Sequence, residues 1–367
     1  MGDPRTDRLA AVLTRYSTRV RPGDLVRIGG MPEAAPLLLS IYEEVLRAGG
    51  HPHLLLSLPG AEEAFYRLAT DEQLDFVSPL QSMIFEQFDV SITVISDHNT
   101  RELSGVDPAR QRRRNKALLP LMKTFMERGA SDELKWCATQ YPAAAYAQEA
   151  DMSLREYEDF VYAACFCDQE DPVARWQEVH EVQQRLVDWL RGKKTVKVTG
   201  PHVDLTLSIA DRTFVNADGR HNMPCGEIFT GPVEESATGW VRFTYPALTG
   251  GREVEGIELW FEEGRVVKAT AAKNEEYLLQ MLDTDPGARY LGEFAIGTND
   301  GIQRFTKNIL FDEKIGGSFH LAVGAGYPET GSKNESAVHW DMICDMRAGG
   351  EIHVDGELFY QSGEFMV

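Results

Sequence analysis

Residue types able to do chemistry gather in the C-terminal half of this 367-residue chain. In SAVHWDMICD, residues 336–345, His339 and Asp341 flank Trp340. Side chains alternate along an extended segment, so His339 and Asp341 share one face while Trp340 points to the other and packs. Three more stretches place ligand-type residues beside glycine. NMPCGEIFTGPV (222–233) carries Glu227, and YLGEFAIGTN (290–299) carries Glu293. FDEKIGGSFHLAVGAGY (311–327) carries Asp312, Glu313, His320 and Tyr327. Singly, each has a plain reading: a strand-end carboxylate, a core histidine bonded to backbone, a packed tyrosine with its hydroxyl satisfied. Together, two imidazoles and three carboxylates offer nitrogen and hard oxygen donors, a set suited to Zn, Mn, Co or Fe and poorly suited to Ca alone. That inventory exceeds the need of one catalytic ion and matches a pair about 3.5–4 Å apart sharing a carboxylate. Neighbouring glycines would let the backbone approach closely and turn sharply.

Strands must carry these residues. Beyond WLRGKK (189–194) the chain reads TVKVTG, VDLTLSI, GWVRFTYPAL, GIELWFEEG and RVVKATAA, strands separated by Gly, Asp and Pro turns, with one clear helix at 274–282. The first half instead alternates strands at 24–30, 53–58, 89–96 and 135–142 with helices at about 33–50, 61–69, 107–129, 153–164 and 173–191. The expected fold is therefore α/β: an N-terminal domain (1–192) with an open, mostly parallel sheet, then a β-rich metal-binding domain (193–367). DLVRIGG lacks the GxGxxG spacing that seats a pyrophosphate, so no dinucleotide is assigned. The Arg112–Arg114 cluster reads as a solvated helix face, and the N-terminal domain offers no catalytic motif.

Composition narrows the partners. A net charge of -20 disfavours nucleic acid and anionic membranes and is compatible with a site that collects cations. There is no run of about 18 apolar residues. The charged start MGDPRTDRLAAVLTRY lacks a signal-peptide core. Five cysteines without a CxxC pair read as free thiols in a reducing compartment. A cytoplasmic protein is expected, its Asn334–Ser336 sequon idle.

GEIFTGPV, LGEFAIGTN, DEKIGGSFHLAVGAGY and NESAVHWDMICD, in that order over about 220–360, closely resemble the segments of the thermostable metallo-aminopeptidases of the aminopeptidase T, aminopeptidase S and PepS type. The resemblance implies a dinuclear centre with metal ligands on Glu227, Glu293, His320, His339 and Asp341, and a nearby tyrosine on Tyr327. It also implies two divalent ions (Zn, Co or Mn), a homodimer, and metal-activated water cleaving the N-terminal peptide bond of peptides with a free N-terminus. Glu293 is expected to bridge the ions or relay the proton, and Tyr327 to donate a hydrogen bond to the oxyanion. The 327–339 segment looks trimmed relative to the family. Asp345, about 13 Å along the strand from Asp341, reads as structural. Two rival readings remain. His320, His339 and Asp341 alone form the two-His-one-carboxylate set of a mononuclear non-haem Fe(II) ring-cleaving dioxygenase of the hydroxypyridine type; or the domain binds metal or peptide without turnover.

Overall fold

The computed structural model describes residues 2–249 and 251–367. The chain forms two compact units, one of residues 1–176 with 219–224 and one of 177–218 with 225–367.

In the first unit, parallel strands run in the order His51–Leu56, Leu25–Gly30, Val90–Ile95 and Lys135–Gln140, and the two-residue strand Asn222–Met223 adds at the edge. Val26, Ile28, Val90 and Ile92 are fully buried, as expected of strands covered on both faces. The strand His51–Leu56 lies outside this core, and its Leu54 and Leu56 are exposed. The long helix Pro108–Ala130 begins where Asp107 accepts from the Ala109 N–H at 2.8 Å. The arginine cluster at its start is more tied than a solvated face: Arg113 pairs with Asp75 at 2.5 Å, and Arg114 donates to the carbonyls of Leu74 and Phe76. Helices Pro4–Ala11, Pro79–Gln87 and Ala144–Glu149 add to those that the sequence pattern predicts.

The unit boundary falls at 176/177 rather than 192/193. The latter part of helix Pro172–Leu190 buries Leu186 and Leu190 in the same core as Val196, Val198 and Leu205, so packing assigns it to the second unit. Residues 219–224 return to the first unit because Asn222 and Met223 pair with Ala138 and Thr139.

The second unit is built from an eight-stranded sheet, a five-stranded sheet and a two-stranded ribbon. The strands Thr195–Gly200, Val203–Ser208, Thr238–Arg242, Glu258–Glu262 and Arg265–Thr270 fall where the alternating patterns place them, as does the helix Glu275–Leu282. The five-stranded sheet is antiparallel, in the order His339–Asp345, Ser318–Gly324, Leu291–Gly297, Glu227–Thr230 and Val215–Ala217. One face of it presents Phe294, Ile296, Phe319, Leu321, Val323, Trp340 and Met342 to a core shared with Val241 and Leu259 of the larger sheet. The opposite face carries the residues of chemical interest.

Candidate metal centre

Strand parity and register assemble that face. Gly297 lies opposite Glu227, Glu293 opposite Ala322, Ala322 opposite Asp341, Ala295 opposite His320, and Gly324 opposite His339. Residues two apart share a face, so Glu227, Glu293, His320, His339 and Asp341 all project the same way. Ala295, Gly297, Ala322 and Gly324 lie among them. These small residues leave room between the longer side chains. Trp340 points to the opposite face, nearly fully buried and edge-on to Tyr277.

The five residues meet. His320 Nε2 lies 3.4 Å from Glu227 Oε2 and 3.5 Å from Glu293 Oε1. His339 Nε2 lies 3.5 Å from Glu293 Oε2 and 3.7 Å from Asp341 Oδ1. Glu293 thus turns its two oxygens toward different histidines. His339 Nδ1 sits 2.7 Å from the Ala325 carbonyl, which accepts its proton and leaves Nε2 for the cluster. Gly226, at φ +114°, turns the chain into Glu227, and a side chain there would strike Asn299. Two triplets, Glu227–Glu293–His320 and Glu293–His339–Asp341, each bring three ligand atoms within 4.8 Å of one another.

The donor set fits metal. Glu227 Oε2, His320 Nδ1 and Asp341 Oδ1 are buried without a hydrogen-bond partner, an arrangement that costs free energy unless something else satisfies them. Among the protein groups alone, burial pushes Glu227 and Asp341 up to about 7, Lys314 offsetting the shift at Glu227 and Glu313 adding to that at Asp341. Burial also works against ionising Glu293 and against protonating His320, but here the partners prevail. His320 and His339 hold Glu293 below its usual range, and Glu293 and Glu227 lift His320 to about 9. A divalent cation balances this excess of carboxylate and favours neutral imidazole.

Tyr327 is partly exposed, and its ring meets those of Phe229 at 5.4 Å and His339 at 5.2 Å. Burial and then the Glu293 and Asp341 carboxylates raise its pKa, so the phenol stays protonated. Asp345 stands apart from the cluster. It accepts from Tyr245 at 3.1 Å and from the Arg347 guanidinium at 2.5 Å. The 327–339 segment is tightly held. Asn334 Nδ2 donates to the carbonyls of Gly287 and Gly324, and Asp285 accepts from Ser336 Oγ and the Ala337 N–H. Asp312 lies away from the donor set, bonded to Thr306 and to the Asn308 N–H.

Two residues escaped the sequence reading as members of the site. Glu313 forms a third triplet with His320 and Asp341, and Lys314, fully buried, donates to both Glu227 and Glu313. The sequence marks Glu313 as a ligand-type residue of the third motif but leaves it outside the expected ligand set, and nothing in the spacing marks Lys314.

A β-rich unit whose one sheet face is a cluster of histidines and carboxylates is the mark of a metal-dependent enzyme. Residues 3–365 match the peptidase M29 family, described as thermophilic metalloprotease, and the chain belongs to it. It is a hydrolase of this metallo-aminopeptidase family. Aminopeptidase 2 of Geobacillus stearothermophilus is 28% identical over 389 residues, covering 95% of this chain and 93% of that one. The structure of AmpT from Thermus thermophilus shares the fold with a TM-score of 0.83 at 24% identity, covering 99% of both chains. The 2,5-dihydroxypyridine dioxygenase of Pseudomonas putida is a more distant likeness, with a TM-score of 0.59 at 14% identity over 99% of this chain and 97% of that one. Among the described residues no helix is long and apolar enough to cross a membrane.

Proposed function

We propose that the protein removes N-terminal residues from short peptides, using a dinuclear divalent-metal centre held by Glu227, Glu293, His320, His339 and Asp341. The observation that carries this reading is Glu293, buried, with one oxygen 3.5 Å from His320 and the other 3.5 Å from His339. A carboxylate shared by two histidine-bearing triplets is the arrangement expected of a bridging ligand. Zn, Co and Mn all suit the donors. When bound, such ions polarise a scissile carbonyl and make water a nucleophile near neutral pH.

The chain's own residues supply the rest. Glu293, kept ionised, is placed either to bridge the ions or to take the proton that the attacking water releases. Tyr327, kept protonated, donates a hydrogen bond to the carbonyl oxygen as it gains negative charge. The free α-ammonium of a peptide suits a pocket rich in carboxylates, which favours removal of the first residue over internal cleavage. Relatives named aminopeptidase support this substrate class. The dioxygenase shares only the fold, and Glu227 and Glu293 exceed what a single two-His-one-carboxylate iron requires. The five cysteines are buried and free of disulfides, in keeping with a reducing, cytoplasmic setting, and the resemblance to the aminopeptidase T, S and PepS group supports a homodimer.

Metal analysis of freshly purified protein, with an aminoacyl-p-nitroanilide panel run with and without chelator, tests the proposal. The expected result is two divalent ions per chain and hydrolysis that the chelator abolishes. One iron per chain with oxygen uptake on hydroxypyridines would overturn it. Analytical ultracentrifugation checks the dimer.

A further inference from the structure

Among the described residues of the β-rich unit, Lys314 is the one buried lysine, and it stands beside the proposed centre. Its Nζ donates to Glu227 Oε1 at 2.7 Å and to Glu313 Oε1. Its backbone is fixed as firmly as its head. The Lys314 N–H donates to the Phe311 carbonyl at 3.0 Å, and its own carbonyl accepts from the Asn299 N–H at 3.1 Å. Gly297, opposite Glu227 in the sheet, lets the strand Leu291–Gly297 press against this turn: a Cβ there would sit 2.3 Å from the Ile315 carbonyl oxygen. Just before Glu313, the buried Asp312 accepts from the Thr306 and Asn308 N–H groups and pins the loop that delivers the pair.

The contacts divide each carboxylate. Lysine has three donors and no acceptor, and the ammonium holds one Glu227 oxygen, Oε1, in a charge-assisted hydrogen bond. The other oxygen, Oε2, has no hydrogen-bond partner and lies 3.4 Å from His320 Nε2. On the other side of the ammonium, a Glu313 oxygen lies within 4.8 Å of a His320 nitrogen and an Asp341 oxygen. One ammonium against Glu227, Glu293, Glu313 and Asp341 leaves the interior net negative, so it does not replace the cations the site calls for.

We propose that Lys314 is a positioning residue that clamps one oxygen of Glu227 and one of Glu313, fixing both as one-oxygen donors, and that Glu313 is a sixth metal-facing side chain of the centre. This rests on the metal-centre reading above and adds a constraint to it. Partners that orient metal ligands typically contribute about 10–100-fold to affinity. A lysine that served only to offset charge would have the opposite effect, because removing a cation beside a metal site tightens cation binding.

Calorimetric titration of metal-stripped full-length protein with Co(II), together with the visible absorption of the bound ion, separates the two roles. Lys314→Met and Glu313→Gln are each expected to weaken Co(II) binding by about 10–100-fold and to shift the absorption band. Affinity equal to or tighter than the parent protein in Lys314→Met, with an unchanged band, would overturn the positioning role. Should Lys314→Met not fold, Glu313→Gln decides alone, since it keeps the Lys314–Glu227 contact: weakened binding supports the proposal and parent-like binding overturns it. His320→Ala is the benchmark. If it binds Co(II) as the parent protein does, the metal-centre reading itself fails. If it loses binding while both other variants bind normally, only the present inference fails.

Discussion

The two units treat charge in opposite ways. In the α/β unit, arginines and carboxylates pair across partly exposed surface, as in Arg113–Asp75, Arg101–Glu149 and Arg5–Asp159. Its inward-reaching Arg27 rests on the hydroxyls of Ser91 and Thr93. The β-rich unit buries Glu227, Glu293, Asp312, Lys314 and His320 almost completely. The difference follows from sheet type. Parallel strands covered on both faces spend both on packing, whereas an antiparallel sheet can give one face to a core and leave the other for polar work. Here Phe294, Phe319 and Met342 hold the sheet in place from below, and the residues alternating with them include the clustered histidines and carboxylates.

The sharpest way to break this contrast is Glu293→Gln. It keeps the shape and removes the charge that faces both histidines, and kcat/KM on Leu-p-nitroanilide should fall by more than about a hundredfold. Parent-like turnover with metal still bound would deny Glu293 its role.

Next in size is a pH effect confined to the β-rich unit. Glu227 rises from 4.5 and Asp341 from 3.8 to about 7 in the fold, and His320 from 6.5 to about 9. Across those intervals the folded chain holds more protons than the unfolded one, so stability falls as pH rises. Glu293, shifted downward, acts in the opposite sense only below its usual value of 4.5. Metal-stripped protein should therefore lose melting temperature steadily between about pH 4.5 and 9, while metal-loaded protein, whose ligands must be deprotonated, should not. Paired thermal scans with and without chelator read this directly.

Asp285→Ala comes third. It removes the acceptor for Ser336 Oγ and for the Ala337, Gly287 and Ala288 N–H groups, which together anchor the approach to His339. A loss of about 1–3 kcal/mol in urea denaturation is expected, with a rise in KM as the His339 strand loosens. The smallest effect belongs to the α/β unit: Arg113→Ala, at an exposed ion pair, should leave the melting temperature in thermal scans and the turnover rate nearly unchanged. A large activity loss there would mean that surface pairs in the first unit matter to the chemistry after all.

Much of this was legible in the sequence. Period-two alternation placed His339 and Asp341 on one face with Trp340 on the other. Strand–helix alternation before about residue 190 and short strands after it separated the two kinds of sheet. Four glycine-flanked motifs, read in order, named five residues that the fold brings within a few ångströms. Asp345 shares their alternating parity, yet the strand carries it away to meet Arg347.

Local pattern could not supply what depends on pairing between distant strands. Register decided that Glu293 sits between His320 and His339, since a slip of one residue would turn its carboxylate into the core. Packing of Leu186 and Leu190 moved the unit boundary into a helix that looks continuous in sequence. Tertiary structure alone brought Glu313 beside His320 and Asp341 and buried Lys314 against Glu227. Charge in a sequence carries no sign of its burial; only the close approach of the Gly297 backbone and the carboxylates of Glu227 and Glu313 make an interior lysine tenable.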